Sequence, residues 1–239
     1  MLDKDVLIEL QNVGVCYNIR GSLLKSKKRN EFWALKDVSF KIYRGEVLGI
    51  LGKNGAGKST LLSILSDIIS PDKGSIIRNV SKVSLLSLQT GFIPYLTGRK
   101  NILLTGMFLG IPLSVLEEKM EEIISFSEIG DFIDQPISTY SSGMKTRLGF
   151  STAIHLRSDV ILIDEVLGVG DEAFKRKSSL YMKEKIKHSE TTAVLVSHSQ
   201  KLIEEVCDRV VLLRNGQVEA EGTDIKQVFS VYNKSMGIN

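Results

Sequence analysis

Gly52-Lys53-Asn54-Gly55-Ala56-Gly57-Lys58-Ser59 is the stretch on which the reading of the whole chain turns. It fits the pattern G-x-x-x-x-G-K-S at every defined position. The flanks fit as well. Glu46 to Leu51 is rich in Val, Ile and Leu and reads as a buried strand, and Lys58 to about Ser66 reads as a helix. Chemistry explains the spacing. Gly52, Gly55 and Gly57 let the backbone curl until successive N–H groups face inward and cradle phosphate oxygens. The helix adds partial positive charge at its first turn. Lys58 can reach the β- and γ-phosphates of a nucleotide, and the Ser59 hydroxyl can hold Mg²⁺. Lys53, Asn54, Ala56 and Thr60 complete the candidate nucleotide contacts by their place in the loop and just after it.

Outward from this loop, Val160-Ile161-Leu162-Ile163-Asp164-Glu165 supplies the second element. Four apolar residues form a strand with two acids at its carboxyl end, where ligands sit in open α/β sheets. Asp164 is placed to bind Mg²⁺ through water, and Glu165 to activate an attacking water. Further strands are expected at Leu7 to Asn12, Val13 to Tyr17, Ser39 to Ile42, Ser75 to Ile77, Val83 to Leu86, Ala193 to Val196 and Arg209 to Leu213. Asn215-Gly216 is expected to close a hairpin between Val210–Arg214 and Gln217–Glu221. Between about 92 and 158 the pattern is mostly helical, with Leu113, Leu116, Met120, Ile123 and Ile124 at helical spacing. The expected fold is therefore α/β: one domain over residues 1–239, with a mostly parallel core sheet, a small antiparallel β part and an inserted helical subdomain.

Composition bounds the function. The chain has 239 residues, 43% hydrophobic and 25% charged, so it can bury a core without disulfides. Cys16 and Cys207 are expected to be reduced and buried. A net charge of only +3 argues against a global nucleic-acid-binding field. No apolar run approaches the ~20 residues of a membrane helix, and the first residues lack the apolar centre of a signal peptide.

Three more segments narrow the class. Tyr140-Ser141-Ser142-Gly143-Met144 precedes the acidic pair, Gly168 to Asp171 comes after it, and His198 ends the apolar run Ala193-Val194-Leu195-Val196-Ser197. In that order the chain resembles ATP-binding cassette ATPases from about Leu7 to about Thr223. The resemblance implies ATP and Mg²⁺ as ligands, and roles at matching positions. Tyr17 stacks on adenine. Gln89 senses Mg²⁺ and the γ-phosphate. Ser141 and Gly143 contact ATP held by the other subunit of a homodimer. Asp171 belongs to the inter-subunit loop, and His198 holds the γ-phosphate and attacking water. The usual signature Leu-Ser-Gly-Gly-Gln is changed here, with one Gly and the Gln replaced, and the surroundings of Gln89 depart from the common spacing.

Gly91-Phe92, Leu96-Thr97-Gly98-Arg99, Gly130-Asp131-Phe132-Ile133 and Val169-Gly170-Asp171 are similar to one subfamily, the ATPase subunits of bacterial exporters of teichoic acid, capsular polysaccharide and lipid-linked O-antigen. This implies two copies of a separate membrane permease, a polymer handled mainly by that permease, no nucleic-acid partner, and a place on the cytoplasmic face of the cell membrane. The short stretch after Thr223 implies no carbohydrate-binding domain. Two alternatives stand beside it: the ATPase of a drug or lipid exporter, and a soluble cassette ATPase acting on nucleic acid or ribosomes. The long coiled coils or paired cassettes of the latter have no counterpart here.

Asn18 to Trp33 is expected to be a basic insertion. It carries Arg20, Lys25, Lys27, Lys28 and Arg29 against Glu31, a charge of +4. Such a loop is either simply solvated or set against anionic head groups or the permease, with Leu23, Leu24, Phe32 and Trp33 as apolar contacts.

Overall fold

The computed structural model describes residues 5–19, 30–86, 92–108, 110–155, 158–164, 171–188, 192–197 and 200–236. The strands are β1 (Val6–Ile19), β2 (Asn30–Tyr43), β3 (Val47–Leu51), β4 (Lys73–Arg78), β5 (Val83–Leu86), β6 (Val160–Asp164), β7 (Thr192–Val196), β8 (Arg209–Arg214) and β9 (Gln217–Gly222). The α-helices are α1 (Lys58–Leu65), α2 (Gly98–Phe108), α3 (Leu113–Ser127), α4 (Ser142–His155), α5 (Glu172–His188), α6 (Gln200–Val206) and α7 (Ile225–Met236).

Strands covered on both faces are largely apolar, and β3, β7, and all but the last residue of β6 and β8 are buried without alternation. They form the middle of one sheet, ordered β5-β6-β7-β3-β8-β9. All neighbours in it are parallel except β8 and β9, the expected hairpin. Strand β9 alternates between exposed and half-buried, as an edge should. The second sheet is antiparallel, ordered β2-β1-β4. Side chains on the large sheet divide by parity. Leu48, Ile50, Leu162, Val194, Val196 and Val211 meet the antiparallel sheet and α1. Val47, Leu51, Ile161, Ile163, Leu195 and Val210 meet Phe150, Phe174 and Ile203 from the helices behind. A third core joins α2, α3 and the start of α4 through Ile102, Leu116, Ile123 and Leu148. The α/β architecture with helices between β5 and β6 is the expected one.

Two local expectations need correction. The break expected after Asn12 is a bulge within one continuous strand. Asn12 takes a φ of 51°, the register shifts there, and its N–H donates 2.8 Å to the Ser39 hydroxyl. The stretch from Asn18 to Trp33 is not all loop either. Strand pairing runs on through Tyr17↔Phe32, Asn18↔Glu31 and Ile19↔Asn30, because an antiparallel ladder leaves fewer backbone groups unpaired than an early turn does. Trp33, expected as a surface contact, is half-buried against Gly14 under the Lys73 ammonium, 4.7 Å from the ring centre. Arg20, Leu23, Leu24, Lys25, Lys27, Lys28 and Arg29 lie outside the described residues.

One buried cation ties the two sheets. Arg209, 8% exposed at the start of β8, donates to both oxygens of the buried Glu46, at 2.7 and 3.1 Å. It also donates to the Lys41 carbonyl at 2.5 Å and to Glu221, and its guanidinium lies 5.1 Å from the centre of the Tyr43 ring. Replacing Arg209 leaves Glu46 buried without its counter-charge. Arg209→Ala is therefore expected to lose about 3 kcal/mol of stability in urea unfolding; a loss below about 1 kcal/mol contradicts this account.

Both cysteines are free; Cys16 is only half-buried, against expectation, and Cys207 is buried. Burial, then the neighbouring Asp208 carboxylate, pushes the Cys207 thiol up to about 12. The folded state thus favours the neutral thiol. Its contribution is fully present below the ordinary thiol range and lost as pH rises from there toward about 12. Cys207 is expected to stay unreactive toward a disulfide reagent at pH ~8 until the chain is unfolded; rapid labelling of the folded protein at Cys207 contradicts it.

Candidate functional site: a phosphate loop at the carboxyl edge of the sheet

Parallel pairing fixes which residues share the edge. Ile50 of β3 stands opposite Val196 of β7, and Val196 opposite Asp164 of β6. Three adjacent strands therefore end level, and they deliver residues 52–59, Asp164 and Ser197 to one edge. Asp164 is half-buried there, and Ser197 is buried.

The loop itself is held by backbone packing. Gly57 precedes α1 with φ 104°, and a Cβ on it would stand 2.6 Å from the Ala34 carbonyl of β2. The β8–β9 turn comes to the same carbonyl: Gly216 has φ 79°, and its Cβ would also stand 2.6 Å from the Ala34 oxygen. Only glycine fits either place. Two hydrogen bonds complete the brace, Gly216 N–H to the Ala56 carbonyl at 3.1 Å and Lys36 N–H to the Gly216 carbonyl at 2.7 Å. Ala56 is buried, while Lys53, Asn54, Gly55 and Ser59 are exposed and Lys58 and Thr60 half-buried. The Lys58 ammonium donates to the Gly52 carbonyl at 2.7 Å and the Lys53 carbonyl at 3.1 Å, so it sits within the curl of the loop. No acidic residue occupies the first turn of α1, so nothing within that turn opposes its N-terminal field.

Tyr17 lies along β1 from this loop. Val15 packs in the core that includes Ala56 and Leu61. Tyr17 is two residues on along the strand, about 7 Å away. It is 45% exposed and paired across the ladder with Phe32, itself 50% exposed. No local pattern marks this aromatic pair, since it depends on the register of the β1–β2 ladder.

Ser141 and Asp171 are capping residues. The Ser141 hydroxyl accepts from the Met144 N–H at 3.1 Å at the start of α4, with Ser141 exposed and Gly143 half-buried. Asp171 caps α5: its Oδ1 accepts from the Phe174 N–H at 2.9 Å, and its Oδ2 is 3.7 Å from Arg147 of α4. Arg147 is not among the expected site residues, because a basic residue inside a helix gives no local signal of its partners. Gln89, Glu165 and His198 lie outside the described residues.

Residues 35–168 match the ABC transporter family. The chain is 45% identical over 215 residues to the teichoic acids export ATP-binding protein TagH of Lactococcus lactis subsp. lactis (strain IL1403), covering 89% of this chain and 46% of that protein. It is 41% identical over 214 residues to the O-antigen export system ATP-binding protein RfbB of Klebsiella pneumoniae, covering 90% of this chain and 85% of that one. The chain thus spans less than half the length of the first of these relatives. Its fold matches a dimeric post-hydrolysis state of the ATP-binding cassette MJ0796 bound to ADP and Pi, with a TM-score of 0.74 at 23% identity over 90% of this chain and 98% of that one. The phosphate loop on a parallel sheet defines a nucleotide-binding α/β protein. More narrowly, the chain belongs to the ABC transporter family as an ATP-binding cassette.

Proposed function

We propose that this protein binds and hydrolyses ATP to drive export of a lipid-linked or anionic surface polymer, teichoic acid or polysaccharide, through a separate membrane permease. The observation that carries the nucleotide part is the level ending of β3, β7 and β6, which brings the braced loop and Asp164 to one edge. The polymer part is supported by the export relatives, TagH and RfbB. No described helix is long and apolar enough to cross a membrane, in keeping with a partner that does. We place the protein at the cytoplasmic face of the membrane, as a homodimer on two permease copies.

In this reading the adenine stacks on Tyr17, beside Phe32. The N–H groups of residues 52–60 and the Lys58 ammonium take the β- and γ-phosphates. A braced glycine loop, a helix N-terminus without acids and a lysine within the curl suit a polyphosphate of high negative charge. Ser59 and Asp164, with Gln89, are the residues that would hold Mg²⁺, which would supply charge neutralisation to the phosphates. Glu165 takes a proton from the attacking water as the water oxygen bonds to the γ-phosphorus and the bond to the β-phosphate bridge oxygen breaks. His198 holds the γ-phosphate. Ser141 and Gly143 of one subunit close over ATP on the other, and Asp171 meets the partner at the same seam, so two sites form by two-fold symmetry.

Lys58→Ala is expected to lower ATP affinity at least tenfold and abolish hydrolysis, measured by calorimetry and phosphate release, because the phosphates lose their nearest cation. Turnover at the parent rate would remove the site assignment.

Glu165→Gln is expected to bind ATP, hydrolyse it at least a hundredfold more slowly, and run as a dimer in size-exclusion chromatography with Mg-ATP. Ser141→Arg, made in that background, is expected to return it to monomer. A dimer of undiminished stability would show that Ser141 does not face the second nucleotide.

A further inference from the structure

Arg147 stands where three helices meet. It is one turn after Gly143 on the same face of α4, and its side chain is 20% exposed. One terminal nitrogen donates to the Glu128 carbonyl at the end of α3, at 3.3 Å. The other lies 3.7 Å from Asp171 Oδ2, just before α5. The guanidinium also lies 6.0 Å from the centre of the buried Phe174 ring in the first turn of α5. A second cation closes the joint from the other side. The Lys177 ammonium of α5 donates to the Glu128 carboxylate at 2.6 Å and the Phe126 carbonyl at 3.0 Å.

We infer that Arg147 is a positioning residue that locks the Ser141–Gly143 turn and Asp171 into one rigid unit, so that both reach the partner subunit's nucleotide together. This rests on the two-fold site proposed above. Positioning and folding separate energetically here. An ion pair at 3.7 Å to a carboxylate that is 63% exposed contributes little to stability. Its geometric consequence is larger. Ser141 and Asp171 are each fixed locally, by a cap on a different helix, and those caps set no distance between them. Arg147 supplies that link with a planar fork that engages two partners at once. Loosening it leaves the two helices packed through Phe150 and Phe174, while the contact groups at their starts lose the direct tie between them.

The test uses the full chain carrying Glu165→Gln, with dimerisation by Mg-ATP read by analytical ultracentrifugation. ATP affinity of the monomer is read with a fluorescent ATP analogue at low protein concentration. Arg147→Ala is expected to weaken the ATP-bound dimer about tenfold, within the range of coupled neighbours, with monomer affinity and Tm near the parent's. Asp171→Asn keeps an oxygen for the Phe174 N–H but removes the charge facing Arg147. Combined with Arg147→Ala, it is expected to weaken the dimer little beyond the worse single variant. Arg147→Lys keeps the charge and is expected to dimerise close to parental affinity. Undiminished dimerisation of Arg147→Ala, additive losses in the double variant, or a lysine variant as weak as alanine would each overturn the inference. If the Glu165→Gln parent stays monomeric with Mg-ATP, the two-fold reading itself falls, and this inference with it.

Discussion

The carbonyl of Ala34 is the point on which the site depends. Gly57 from the phosphate loop and Gly216 from the β8–β9 turn approach it so closely that neither admits a Cβ. Three segments distant in sequence therefore share one small volume. The phosphate loop cannot shift without moving β2, and β2 is bound along its length to β1. The position of Tyr17 relative to the loop is thereby set by backbone packing rather than by any side-chain contact between them. Packing of this kind tolerates little adjustment, because backbone atoms in contact have no alternative rotamers.

The large sheet imposes the second constraint. Its central strands bury both faces, so a slip of one residue in any of them would exchange two filled cores. That cost pins the register that ends β3, β7 and β6 level. The alignment at the carboxyl edge is thus a consequence of apolar packing elsewhere. The polar residues there therefore need not hold the strands in place.

Legibility in the sequence divides along the same line. The apolar strands β3, β6, β7 and β8 and the Asn215-Gly216 hairpin announce themselves by local pattern, and the structure places them where expected, with both turn residues at positive φ. The phosphate loop is equally plain, since its glycines and Lys58 are adjacent in sequence. The illegible parts all depend on partners far along the chain. Phe32 is opposite Tyr17 only because of a ladder with a bulge in it. Arg209 reads as the polar first residue of a strand and is instead a buried cation whose carboxylate partner, Glu46, precedes it by 163 positions. Ser141 and Asp171 are legible through their motif, but their capping bonds and the link through Arg147 are not, since no periodicity marks a contact between two helix starts.

Helix α4 shows how the two layers are coupled. Its early residue Met144 and its middle residue Leu148 pack in the core shared with α2 and α3. Its later residues Phe150 and Ile154 pack behind the large sheet with Ile161, Ile163 and Phe174. One helix is therefore seated in both cores at once. Ser141, just before α4, is thus joined by that helix to the packed layer that holds the strand ending in Asp164. Phe150 and Phe174, whose rings meet edge to face at 5.9 Å, extend that contact to α5 and so to Asp171. The end of β6, the start of α4 and the start of α5 are thus connected through close-packed aromatic and aliphatic groups, which transmit strain well because they are dense. A change at the sheet edge that moves β6 must be accommodated in this layer, of which α4 is a part.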